Sequence, residues 1–379
     1  MDSTNPTDAP LRKTALLGPT DYWNDSCAVA ELGYAIERGA VGATCNPPIV
    51  VEVLRKERDH WVSRVQELVA ANPAWSEVEL AWAITQEMAV RGAAALLPVY
   101  ERENARKGWQ SIQVNPANYR DPVRMLEQGA RFAGLAPNMQ VKFPATTAGL
   151  VAIEEATSRG ININATVSFT VDQAIASAEA VERGLDRLAR SGGDPAKLAP
   201  VSVIMIGRLD DWLKAVVERD GLSVDPGALN WAGIAVTKRV HAIFRDRGYR
   251  SRPLAAAFRH HLHWTELVGG QLSMTIPHAW QVRFNSSGID PVARIDVPVD
   301  PAIIAELRKI PDFWRAYEPG GLTPEEFDTY GATVRTLRGF ITACHDLAGA
   351  IRDVMLPDPD RRPAASVPAP PVALAGAHR

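Results

Sequence analysis

A lysine stands in the middle of an alternating run, Asn138-Met139-Gln140-Val141-Lys142-Phe143-Pro144-Ala145-Thr146. As a strand, this run puts Met139, Val141 and Phe143 on one face and Gln140 and Lys142 on the other. Inside a βα repeat, a lysine near the C-terminal end of a strand points to the site face of a barrel. Desolvation there lowers the amine's pKa, and the neutral amine is the form that attacks a carbonyl to make a Schiff base. The other use of such a lysine is to blunt an exposed sheet edge, and the segment alone is compatible with both.

More polar residues recur at strand ends. Asp25 sits where the stretch from Gly18 to Ser26 hands over to a helix, and an N-cap is the commonest use of such an aspartate. Thr44 and Asn46 share one face of a small-residue strand stopped by Pro47 and Pro48. Gln113 and Asn115 lie opposite Ile112 and Val114, while Asn164 and Thr166 alternate with Ile163 and Ala165. Arg208 closes the apolar run from Val201, and Arg259 closes the run from Arg252. Just past it, His260 and His263 raise a metal-dependent lyase or hydrolase as a competing class. No carboxylate lies at matching spacing, so they read as surface or capping histidines and no metal site is assigned.

The elements that would position these residues alternate. Strand signals fall near residues 20–25, 41–46, 109–115, 138–144, 160–167, 201–208, 252–259 and 272–277, with helical periodicity between them. Eight strands separated by helices fit the α/β class, as a (β/α)8 TIM barrel, better than a doubly wound sheet. The helical stretch after strand 2, about residues 49–107, is longer than one barrel helix and reads as an insertion. Further helices are expected at the C-terminus, near residues 301–309 and 324–355. The expected organisation is a flexible N-terminus over 1–13, one barrel domain over 14–355, and a Pro/Ala/Val-rich disordered tail over 356–379.

Composition narrows the classes. With 46% hydrophobic residues, 379 residues can build a sizeable core, and 22% charged residues with a net charge of −3 make a poor surface for nucleic acid. Cys27, Cys45 and Cys344 are far apart in sequence and show no metal-ligand spacing, which suits a reducing cytoplasm. The start of the chain lacks the basic and apolar regions of a signal peptide, and no apolar run is long enough to cross a bilayer. A cytoplasmic protein without a membrane partner is expected. Phosphate-loop, dinucleotide and nucleophile-elbow motifs are missing, and nothing specifies an oligomeric state.

Taken in order, the motifs Trp23-Asn24-Asp25, Ala43-Thr44-Cys45-Asn46-Pro47, Ser111-Ile112-Gln113-Val114-Asn115-Pro116, Val141-Lys142-Phe143-Pro144-Ala145-Thr146, Gly160-Ile161-Asn162-Ile163-Asn164-Ala165-Thr166 and Ile206-Gly207-Arg208-Leu209-Asp210-Asp211-Trp212 make the chain resemble the transaldolase family over about residues 18–355. These are Schiff-base aldolases on a (β/α)8 barrel. The resemblance implies Lys142 as the imine-forming lysine and Asp25 as the acid/base. It implies Thr44, Asn46 and Asn164 as partners of the donor's hydroxyls, Thr166 as a holder of the catalytic water, and Arg208 and Arg259 as the phosphate arginines. A guanidinium's planar fork suits a phosphate, and its other use is a surface ion pair. No cofactor is implied, and the partners are small sugar phosphates.

Departures bear on the substrate. Family transaldolases carry a glutamate where this chain has Gln113, which cannot exchange a proton but can orient water beside Thr166. Glutamine there resembles the fructose-6-phosphate aldolase branch, which is shorter and has a tyrosine at the position of Met205. Val203 and Ala257 replace family serines near the phosphate end. The expected function is therefore transfer or release of a dihydroxyacetone unit from a ketose phosphate. The alternatives are an aldolase-type lyase and a barrel that binds a sugar phosphate without turning it over.

Overall fold

The structure, a computed structural model, describes residues 5–360. Helix α1 (Pro10–Leu16) and strand β1 (Asp21–Asn24) come first, then α2 (Val29–Glu37) and β2 (Gly42–Thr44). Three helices, α3 (Pro47–Lys56), α4 (Arg58–Ala71) and α5 (Glu77–Arg102), lead to β3 (Trp109–Gln113). The repeat continues through α6 (Pro122–Ala133), β4 (Met139–Pro144), α7 (Thr147–Ser158), β5 (Ile163–Thr166), α8 (Val171–Arg190), β6 (Val201–Ile204) and α9 (Ile206–Asp220). After α10 (Ala232–Arg247) come β7 (Arg252–Ala255), the single turn α11 (Leu262–Thr265), β8 (Ser273–Ile276) and α12 (His278–Asn285). The last helices are α13 (Pro301–Leu307), α14 (Pro311–Tyr317) and α15 (Gly331–Met355). The strands pair in parallel in chain order and β8 returns to β1, which closes a (β/α)8 barrel. Closure removes the sheet edge that Lys142 was alternatively expected to blunt.

Alternation in the strands separates the two faces. Met139, Val141 and Phe143 of β4 are buried outward, in one cluster with Met125 and Phe132 of α6 and Ile153 of α7. Full burial of a side chain such as Phe143 contributes about 1.5–3 kcal/mol, enough to hold Lys142 on the inner face. Side-chain caps start the helices that follow three of the strands. Asn46 accepts from the Ile49 N–H at 3.1 Å, Thr146 from Gly149 at 3.0 Å and Thr170 from Gln173 at 3.0 Å. Each such cap is worth about 1 kcal/mol, and each follows closely on a strand that carries a site residue. At the opposite end, Asp21 is held by Lys107 at 2.8 Å and Arg252 at 3.1 Å, an ionic plug remote from the strand C-termini.

Several elements depart from the sequence reading. Residues 10–13, expected to be loose, belong to α1, whose Leu11 is buried and whose Thr14 hydroxyl accepts from the Trp264 indole N–H at 2.9 Å. Strand β6 stops at Ile204, and Ile206 to Arg208 start α9 rather than extending the strand. An apolar run of this length fits a buried strand and a buried helix turn equally well. Strand β7 likewise stops at Ala255, and Ala257 turns the chain with a left-handed φ of 66°. Residues 356–360 are neither helix nor strand, and the rest of the expected tail lies outside the described residues. Cys27 and Cys45, distant in sequence, meet at 3.1 Å as free thiols.

Candidate active site

Register sets the centre of the site. Gln113 is the β3 partner of Lys142, Asn164 is its β5 partner, and Thr166 stands beside Pro144. A cavity of ≈ 130 Å³ at the C-terminal end of the strands is lined by Asp25, Thr44, Asn46, Lys142, Thr166, Arg208 and Arg259, among others. Gln113 and Asn164 flank Lys142 but are not part of that lining. Gln113 instead borders a second, mostly apolar cavity of ≈ 160 Å³ among α3, α5 and α15, which Asn46 also lines.

Lys142 is 5% exposed, and its amine makes no hydrogen bond or ion pair with the described residues. Burial lowers its pKa, with the nearby Asp25 carboxylate opposing only in part. Burial raises the pKa of Asp25, opposed by the lysine and by a hydrogen bond from Thr44. Both groups are therefore moved towards their neutral forms, as proton exchange between an amine and a carboxyl requires. The cap of α2 is Ala28, so the N-cap use of Asp25 does not occur.

Thr44 donates to Asp25 Oδ1 at 2.6 Å, and its Oγ1 is also 2.6 Å from Thr275 Oγ1. A hydroxyl has one proton, so Thr275 must donate to Thr44, and the two threonines hold the carboxylate in place. Asn164 Nδ2 donates to Ser111 Oγ at 3.2 Å, and Ser111 donates to Gln140 at 2.7 Å. Asn164 Oδ1, Gln113 Oε1 and Thr166 Oγ1 are buried with no partner among the described residues. Leaving such an atom without any partner costs about 1–3 kcal/mol, and Gln113, Asn164 and Thr166 all lie on strands beside Lys142.

Arginines occupy the rim. Arg208 is half-buried in the first turn of α9, its guanidinium carbon 5.0 Å from the Phe340 ring centroid, and it forms no ion pair with the described residues. Burial, then the neighbouring Arg259, lowers its pKa, although a guanidinium keeps its charge. Arg259 lies in the loop after β7 and is paired with Asp211 at 2.9 Å. Neither arginine is at a strand end proper.

The Transaldolase/Fructose-6-phosphate aldolase family model matches residues 22–307. The chain belongs to this family. A transaldolase of Thiobacillus denitrificans is 27% identical over 289 residues, 70% of this chain and 79% of its own. One from Mycobacterium marinum is 28% identical over 303 residues, covering 73% and 80%. One from Thermobifida fusca reaches 31% over 177 residues, covering 46% and 47%. The chain is thus an enzyme of transaldolase type.

Three groups at this transaldolase-type site escaped the sequence reading. Thr275 was visible only as the polar half of the alternation Ser273-Met274-Thr275-Ile276. Asp211 is three residues after Arg208 on α9 yet partners Arg259 from another element. The carboxylate missing from the histidine motif is Asp210, whose Oδ2 lies 2.8 Å from His263 Nε2 and 3.6 Å from His260 Nε2.

Gly207 lets the start of α9 approach the Arg259 loop. A Cβ on it would lie 2.0 Å from the Ala257 carbonyl oxygen and 2.7 Å from Arg259 Cγ. Gly207→Ala is expected to destabilise the fold by about 1–3 kcal/mol in urea denaturation and to raise KM for a phosphorylated ketose. An unchanged denaturation midpoint would show that the contact is slack.

Proposed function

We propose that the cavity binds a ketose phosphate and breaks its C3–C4 bond through an imine on Lys142. The observation that carries this reading is the buried, unpartnered amine close enough to Asp25 for each to shift the other. The neutral Nζ adds to the ketone carbon, and the carbinolamine hydroxyl leaves as water with a proton from the Asp25 carboxyl, which gives an iminium and leaves Asp25 ionised. The C3–C4 electron pair flows into that iminium as Asp25 accepts the C4 hydroxyl proton; the aldehyde leaves and a three-carbon enamine stays on Lys142. Thr44, Asn46 and Asn164 hold the donor's hydroxyls, while Thr166 and Gln113 place the water of imine formation and hydrolysis. The iminium is itself the electron sink, so neither a metal nor an organic cofactor enters the scheme.

Arg208 and Arg259 receive the phosphate. Helix α9 starts without a side-chain cap, which leaves its first-turn amides and the positive end of its dipole to the same anion. Arg208→Ala is expected to raise KM for fructose 6-phosphate by about 10- to 100-fold, the worth of a charged hydrogen bond, as read from initial rates. A KM within experimental error of the unmodified enzyme would remove Arg208 from the phosphate site.

The enamine has two fates, and transfer to an aldose phosphate is the first reading. Release of free dihydroxyacetone is the second, favoured by Gln113, because glutamine at this position resembles the fructose-6-phosphate aldolase branch and can still orient water beside Thr166. Incubation with fructose 6-phosphate, with and without erythrose 4-phosphate, separates them: a heptulose phosphate marks transfer and free dihydroxyacetone marks release. Borohydride reduction during turnover should fix the three-carbon unit on Lys142, and a label on any other residue overturns the mechanism. The free thiols of Cys27 and Cys45 support a reducing, cytoplasmic setting. No described helix is long and apolar enough to cross a membrane.

A further inference from the structure

Beside the phosphate arginines, Asp210, His260 and His263 bring three ligand-type atoms within 4.8 Å of one another, the arrangement of a small metal site. Hydrogen bonding argues for a different use. The Arg259 backbone N–H donates to His263 Nδ1 at 3.1 Å, so Nδ1 is an acceptor and carries no proton. The ring proton therefore sits on Nε2, where it is donated to Asp210 Oδ2 at 2.8 Å. A metal on Nε2 would force the proton onto Nδ1, directly against the Arg259 N–H. Asp210 is anchored in turn, with Oδ1 accepting from the Gly233 N–H at 2.9 Å.

The imidazole thus links three elements. Asp210 rides on α9 two residues after Arg208, Gly233 belongs to α10, and His263 in α11 holds the backbone of the Arg259 loop. Both Asp210 and His263 are fully buried. Ala257, two residues before Arg259, is held in a left-handed conformation that costs a non-glycine residue about 1–2 kcal/mol, and a loop under that strain needs a fixed contact to stay in place.

We propose that neutral His263 is a positioning residue that holds the Arg259 loop at the distance from Arg208 at which both guanidinium groups meet one phosphate. This rests on the phosphate role of the two arginines given above. The test compares two replacements that each keep one half of the imidazole. In His263→Asn the short amide keeps an acceptor near Nδ1, and in His263→Gln the longer amide keeps a donor near Nε2 but leaves the Arg259 N–H unpaired.

The readouts are kcat and KM for fructose 6-phosphate, the same constants for unphosphorylated fructose, and the denaturation midpoint of each variant. The inference expects His263→Gln to raise KM for fructose 6-phosphate by about 10-fold, the scale of one lost buried hydrogen bond, with a smaller change in kcat and in kcat/KM for fructose. His263→Asn should recover most of that loss. Equal losses on both sugars, or a larger phosphate-specific loss in His263→Asn than in His263→Gln, overturn the inference and leave the phosphate reading intact. An Arg259→Ala enzyme with unchanged KM for fructose 6-phosphate overturns both.

Discussion

Lys142→Met is expected to abolish borohydride labelling and to lower kcat/KM for fructose 6-phosphate by at least about four orders of magnitude, the scale on which removal of a covalent nucleophile acts. Methionine has similar reach and suits a position that is 5% exposed. The amine it replaces has no partner among the described residues, so no buried group loses a hydrogen bond and the fold should survive. The pH profile gives the same lysine a second signature. Burial lowers its pKa from 10.5, and only the neutral amine attacks, so kcat/KM falls as pH drops through that lowered pKa. A folded Lys142→Met enzyme with ordinary turnover would end the imine mechanism.

Asp25→Asn should lower kcat by about 10²- to 10⁴-fold, the contribution of one positioned acid–base group, while Lys142 still traps the ketose. The amide keeps an oxygen for the Thr44 hydroxyl, 2.6 Å from Oδ1 in the carboxylate, so the geometry is preserved and only proton exchange is lost. Burial raises the pKa of Asp25 above 3.8. The base must be ionised to accept the C4 proton, so activity is lost as pH falls through that raised pKa, and this limb should vanish in Asp25→Asn. Full turnover by the variant, or the same limb in its pH profile, would assign the proton transfer to another group.

Strands whose inner face is polar were the legible part of the chain. In β4 and β5, Lys142, Asn164 and Thr166 break an apolar background every second residue, and that period both locates the strand and says which side chains point inward. Where the inner face is apolar, as in Val201-Ser202-Val203-Ile204-Met205-Ile206, the period disappears. The sequence then does not mark the end of β6, and Arg208 reads as a strand residue although it lies in the first turn of a helix. Contacts between elements were illegible for another reason. Asp210 and His263 are 53 positions apart, Cys27 and Cys45 are 18 apart, and nothing local in sequence records that a barrel closes over them. Helix α1 was hidden by a polar, proline-bearing composition, although Pro10 at its first turn and the Leu11 and Thr14 spacing are ordinary helix signals.

Helix α15 has a consequence for the order in which the enzyme comes to life. Its Phe340 ring underlies Arg208, its Thr333 accepts from Gln173 at 3.2 Å, and its Leu347 and Ile351 share a core with Val50 and Ile84. The last barrel strand ends at Ile276, so during synthesis all eight strands leave the ribosome well before these residues do. A nascent barrel can therefore close before the Phe340 ring that underlies Arg208 has docked against it.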